Sequence, residues 1–88
     1  MPKKYKVQFN KRYLKDLKKI PKKDRNQIRE SVLSLADNPR PEGCKKLKGS
    51  KDTLYRIRSG DYRVIYTIQD DVLLVLVIEI GHRRDIYR

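Results

Sequence analysis

The chain holds a single Cys, Cys44, a single His, His82, one Phe and no Trp. A lone cysteine excludes an intramolecular disulfide and fits a reducing cytoplasm. One Cys and one His are too few for a conventional zinc site, and no cofactor is expected. Long apolar runs are missing too. The longest, Val72 to Ile78, is far too short to span a bilayer, and no signal peptide is expected ahead of the domain. Acidic residues are scarce: 11 Asp and Glu stand against 23 Lys and Arg, a formal net charge of +12. That imbalance says nothing about fold, but it favours polyanionic partners such as nucleic acid or an acidic protein over a membrane surface. With so few large aromatics, the core of this 88-residue chain must come mainly from Leu, Ile, Val and Tyr. The length suits one domain, residues 1–88, with a single modest core.

What is present reads in order as β-α-α-β-β-β. Tyr5 to Phe9 alternates as a short strand with Tyr5, Val7 and Phe9 on one face. Asn10 offers an N-cap to a helix whose stripe is Tyr13, Leu14 and Leu17. Pro21 interrupts it and suits the first turn of a second helix, Lys22 to Ala36, with Ile28, Val32, Leu35 and Ala36 at helical spacing. Asp24 near its start suits the positive end of the helix dipole. Asp37-Asn38-Pro39 ends it, since the residue before proline avoids the α region. Pro39 to Asp52, with two prolines and two glycines, reads as a loop anchored by Leu47. After the hairpin described next and a turn at Gln69-Asp70-Asp71, Val72 to Ile78 reads as a strand buried on both faces. The expected architecture is α+β: a mainly antiparallel four-stranded sheet packed against an N-terminal helical hairpin.

Leu54-Tyr-Arg-Ile-Arg58 and Tyr62-Arg-Val-Ile-Tyr66 alternate apolar and basic residues, the pattern of half-buried strands. Ser59-Gly60-Asp61 supplies turn chemistry between them. A two-residue loop pairs Arg58 with Asp61 and Arg56 with Arg63; a four-residue loop pairs Arg58 with Arg63. Both put all three arginines on one face. A three-residue loop would turn Arg63 to the other face. Like charges directly opposite destabilise a sheet, so the expected cluster calls for an anion, and one of the first two registers is expected.

Metal-free RNA cleavage makes matching demands. The ribose 2′-OH loses a proton and attacks the neighbouring phosphate, which gains charge as the 5′-oxygen leaves. Clustered arginines match phosphate geometry and stabilise that charge. The base is harder to find, and the candidates are His82, Glu79 and Tyr87. Tyr has an unperturbed pKa of about 10, but Arg83, Arg84 and Arg88 near Tyr87 favour the phenolate. The plainer reading of Tyr87 is a ring packed at the sheet edge, and of His82 a turn residue after Gly81. Lys45, Lys46, Lys48 and Lys51 are either phosphate contacts or a solvated loop.

Lys46-Leu-Lys-Gly49, Tyr55-Arg-Ile-Arg58, Gly60-Asp-Tyr-Arg-Val-Ile-Tyr66 and Ile80-Gly-His-Arg-Arg-Asp-Ile-Tyr87 together resemble the RelE family of toxins, within the RelE/ParE superfamily. The resemblance implies a ribosome-dependent endoribonuclease that cuts mRNA in the ribosomal A site without a metal. It also implies a cognate RelB-like antitoxin that holds the toxin inactive. By that resemblance Arg63 holds the scissile phosphate, Arg83 assists the leaving group and Tyr87 is the general base. Arg56 and Arg58 take positions where the family often has lysines. Arg stays charged, so here they are electrostatic clamps rather than proton donors. Arg58, Arg63, Arg83 and Tyr87 are thus the expected catalytic set, with Arg56, Lys46, Lys48, His82 and Arg84 around the RNA. Two other classes compete: a ParE-like toxin that blocks DNA gyrase without cutting RNA, and a non-catalytic nucleic-acid-binding module.

Overall fold

The structure is a computed structural model, and it describes residues 4–47 and 53–82. Strand β1 (Lys6–Phe9) is followed by helices α1 (Lys11–Leu17) and α2 (Lys22–Leu33), then by β2 (Lys45–Leu47), β3 (Leu54–Ser59), β4 (Tyr62–Gln69) and β5 (Leu74–His82). The sheet therefore has five strands, not four, in the order β1-β5-β4-β3-β2. β1 runs parallel to β5, and the other neighbours are antiparallel. The unforeseen strand is β2, three residues inside the stretch read as a loop. Only Leu47 in it is apolar, which is too little for a periodic signal, and its hydrogen bonds come from pairing with Leu54–Arg56. Among the described residues no helix is long and apolar enough to cross a membrane.

The helices begin and end for the expected local reasons. The Asn10 side chain accepts a hydrogen bond from the Arg12 amide at 2.7 Å, capping α1. Pro21 stands as the residue before α2 rather than inside its first turn, and Asp24 lies in that turn. From Ser34 to Ala36 the last turn tightens into a 3₁₀ helix. Tyr13, Leu17, Ile20, Ile28, Val32 and Leu35 bury against Ile57, Val64, Tyr66, Val75, Val77 and Ile80 of the sheet. Leu14, expected on the buried stripe, is instead 45% exposed.

β5 begins later than expected. Asp70–Val72 forms a 3₁₀ turn, Leu73 takes the left-handed conformation at φ 51°, and the strand then runs to His82. Nor is it buried on both faces. Val75, Val77 and Ile80 are buried, whereas Leu74, Leu76 and Ile78 are half-buried. Pairing with β4 steps from Ile65–Glu79 to Tyr66–Val77, which leaves Ile78 as an extra residue. This bulge reverses the alternation, so Val75, Val77 and Ile80 all reach the helical layer.

A set of polar contacts ties the Pro39–Cys44 segment to the end of the sheet. The Tyr66 hydroxyl donates to the Pro39 carbonyl at 2.7 Å, and burial raises its pKa. Arg40 donates to both oxygens of Asp70 at 3.2 and 2.8 Å, and the Tyr5 hydroxyl donates to the same carboxylate. Arg40 also lies 5.4 Å from the centre of the Tyr55 ring, which stacks on Tyr66. These contacts fix where β2 starts, and through β2 which lysine meets the arginine face.

Candidate phosphate-binding site

Ile57 and Val64 are paired across β3 and β4 and bury under the helices, so their neighbours Arg56, Arg58, Arg63 and Ile65 face the other way. Arg58 lies directly opposite Arg63. This is the register expected for four residues between the two arginines. Ser59 and Tyr62 pair inside it, and the turn itself is Gly60-Asp61. Gly60 has φ +60°, as a type II′ turn requires at its first central position. All three arginines therefore share one face, and like charges meet across the ladder.

The rows of the sheet extend the cluster. Lys45 pairs with Arg56, Arg56 with Ile65 and Ile65 with Glu79, so these four stand side by side across four strands. The next row is Arg58, Arg63 and Gly81. Arg56 and Arg63 are 5% and 6% exposed, whereas Arg58 and Lys45 are exposed. Burial, and then the charge of Arg58, lower the Arg56 pKa. A guanidinium still holds its charge there, and away from bulk water that charge attracts phosphate more strongly.

Other expected site residues lie elsewhere. Lys46 pairs with Tyr55 and therefore sits on the helical side, while Lys45, from the stretch expected to be a lysine-rich loop, joins the arginines. Placing it needed β2, which has no local signature. His82 pairs with Tyr62, and their rings meet edge to face at 5.6 Å on the helical side. Glu79 does share the arginine face, held 3.3 Å from an Arg12 guanidinium nitrogen. Lys48, Arg83, Arg84 and Tyr87 lie outside the described residues. Among the described residues no three His, Cys, Asp or Glu side chains gather as metal ligands would.

The geometry defines a small basic α+β protein with a cationic patch on the face of its sheet turned away from the helices, suited to a phosphodiester. A family model described as the ParE toxin of the type II toxin–antitoxin system parDE matches residues 7–87. The toxin RelE1 of Methanocaldococcus jannaschii is 36% identical, over 97% of each chain. The mRNA interferase toxin RelE of Escherichia coli K12 is 32% identical, over 90% of this chain and 83% of that one. In the crystal structure of the archaeal RelE–RelB complex from Pyrococcus horikoshii, one chain superposes with a TM-score of 0.82 at 31% identity, covering 93% of this chain and 98% of its own. The chain belongs to the RelE family of toxins, within the RelE/ParE superfamily.

Proposed function

We propose that this chain is the toxin of a type II toxin–antitoxin system, an endoribonuclease that cuts mRNA in the ribosomal A site and so inhibits translation. The observation that carries the reading is the opposed Arg58–Arg63 pair beside Arg56. Three guanidiniums gathered on one face, two of them shielded from bulk water, match the geometry and charge of a phosphate. The E. coli relative is named an mRNA interferase, which supports the same chemistry here.

In this reading the arginines grip the scissile phosphate and stabilise its developing charge. A base removes the 2′-OH proton, the 2′-oxygen bonds to phosphorus, and the bond to the 5′-oxygen breaks with a proton delivered to it. Tyr87 is the base, Arg83 assists the leaving group, and no metal takes part. Glu79 shares the arginine face but is held by Arg12. A tyrosine with an ordinary pKa of about 10 is a weak base in water, so this reading gives the ribosome the task of positioning the RNA, which alone supplies a large part of catalysis. The partner is a cognate RelB-like antitoxin, as supported by the RelE–RelB complexes of P. horikoshii and E. coli. The work is cytoplasmic, and residues 1–88 act as one domain.

Translation in vitro followed by primer extension tests this. Cuts should appear only with translating ribosomes, and both Arg63→Ala and Tyr87→Phe should lower cleavage at least about 100-fold. The ParE description of the matching family model favours one second reading, gyrase inhibition. Uncut mRNA together with a loss of supercoiling activity would establish that reading instead.

A further inference from the structure

β1 ends at Phe9, opposite Val77, so among the described residues the outer edge of β5 from Ile78 onward has no strand beside it. Helix α1 packs against β5, and Arg12 in its first turn reaches that edge. Its Nη2 lies 3.3 Å from the carboxylate of Glu79, a residue of the arginine face. Its Nε lies 4.0 Å from Asp16, one turn along the helix. Two carboxylates thus hold one guanidinium at the border between the helical layer and the arginine face. Exposed ion pairs add little to stability, so their effect here is on where Arg12 stands. Neither contact uses Nη1, and the side chain is 69% exposed, so part of the guanidinium fork stays open to a ligand.

The face between Arg12 and the other arginines leaves room for a chain to pass. Arg63 pairs with Gly81, so β5 raises no side chain beside it in that row. A glycine inside a strand often marks the close approach of another backbone. Glu79 is the diagonal neighbour of Arg63 on the same face, within reach of long side chains. A bare carboxylate there would repel phosphate. Paired with Arg12, it is neutralised and fixes a further cation close to Arg63.

We propose that Arg12, held in place by Glu79, is the outer phosphate clamp of this face and grips the phosphate next to the one on Arg63. The inference rests on the reading of the substrate as RNA. The RNA backbone then crosses the strands, from Lys45 on β2, past Arg56, Arg58 and Arg63, to Arg12 at the edge of β5. Three strand spacings separate β2 from β5, about 14 Å. A guanidinium already held by two carboxylates loses little further freedom when it grips a phosphate. Arg12 is a positioning residue: it sets which phosphate reaches Arg63 and takes no part in bond breaking.

The test uses the full chain and single-stranded RNA whose 2′-OH groups are methylated, so that it binds but is not cut. In filter-binding titrations Arg12→Ala should flatten the log–log salt slope by about 0.7, and Lys15→Ala, on the same helix, should not. An unchanged slope in Arg12→Ala, or equal flattening by both, overturns the inference. Glu79→Gln separates the two roles of that carboxylate by sign. It removes a negative charge, so binding should tighten if Glu79 only repels phosphate, and weaken by roughly twofold to fivefold if it holds Arg12. Tighter or unchanged binding overturns the inference. Replacing phosphates one at a time by uncharged methylphosphonates gives a third readout. One position should weaken binding of the wild type and leave Arg12→Ala indifferent, and the lack of any such position overturns the clamp. None of these measurements needs cleavage, so they support the clamp even if the wild type cuts no RNA, which would sink the nuclease reading alone.

Discussion

Arg58 and Arg63 face each other across β3 and β4, and two like charges at that spacing oppose strand pairing. A residue chosen for stability at either position would be Thr or Val. Replacing Arg58 by Thr should therefore raise unfolding stability by roughly 0.2–1 kcal/mol, with a smaller gain at high salt, where the repulsion is already screened. The same change removes one of the phosphate clamps, so cleavage should fall as stability rises. Urea melts at two salt concentrations, read beside the primer-extension assay, check both halves. Loss of stability in Arg58→Thr would mean that the arginine already has a counter-charge in the folded chain, and the argument that this face binds an anion would fail.

At the scale of elements, the tie around Asp70 decides how the sheet edge is assembled. Hydrogen bonds from Arg40 first, and then from Tyr5, hold the Asp70 carboxyl down at about 2. Its folded pKa lies below the unfolded value of about 3.9. The stabilisation is therefore complete above the unfolded value and is lost as pH falls from about 4 towards about 2. The melting temperature should drop across that window, and less steeply in Asp70→Asn. Because the pair is exposed, high salt should shrink the difference.

The same scale separates what the sequence made legible from what it did not. Period-two alternation around Arg56, Arg58 and Arg63 is a local property of β3 and β4, and with a two- or four-residue connection it puts the three arginines on one face. The helix caps at Asn10 and Asp37-Asn38-Pro39 are local as well. β2 is not, because three residues with one apolar side chain become a strand only through Leu54–Arg56 and through the Tyr66 hydroxyl on Pro39. Without that strand Lys45 and Lys46 cannot be told apart, although only Lys45 meets the arginines. The parallel β1–β5 pairing is likewise a tertiary choice. His82 shows the effect of one residue: in an unbroken alternation from Val75 and Val77 it would share the arginine face. The extra residue Ile78 turns it towards the helical layer instead.

For the whole molecule, a net charge of +12 would bind RNA even with no site at all. Electrostatics alone therefore cannot separate a nuclease from a basic module, but the location of the charge can. Affinity for a single strand falls with salt at a log–log slope of about −0.7 per phosphate neutralised. Lys45 and Arg58 lie on the arginine face, whereas exposed Lys15 is on α1 in the helical layer, and loss of any one lowers the net charge equally. If the sheet face is the footprint, Lys45→Ala and Arg58→Ala should each flatten the slope by about 0.7 in filter-binding titrations, and Lys15→Ala should leave it unchanged. Equal flattening by all three would mean that RNA is held by diffuse charge. The arginine face would then have no privileged contact with phosphate, and the non-catalytic module would explain the protein better than a nuclease.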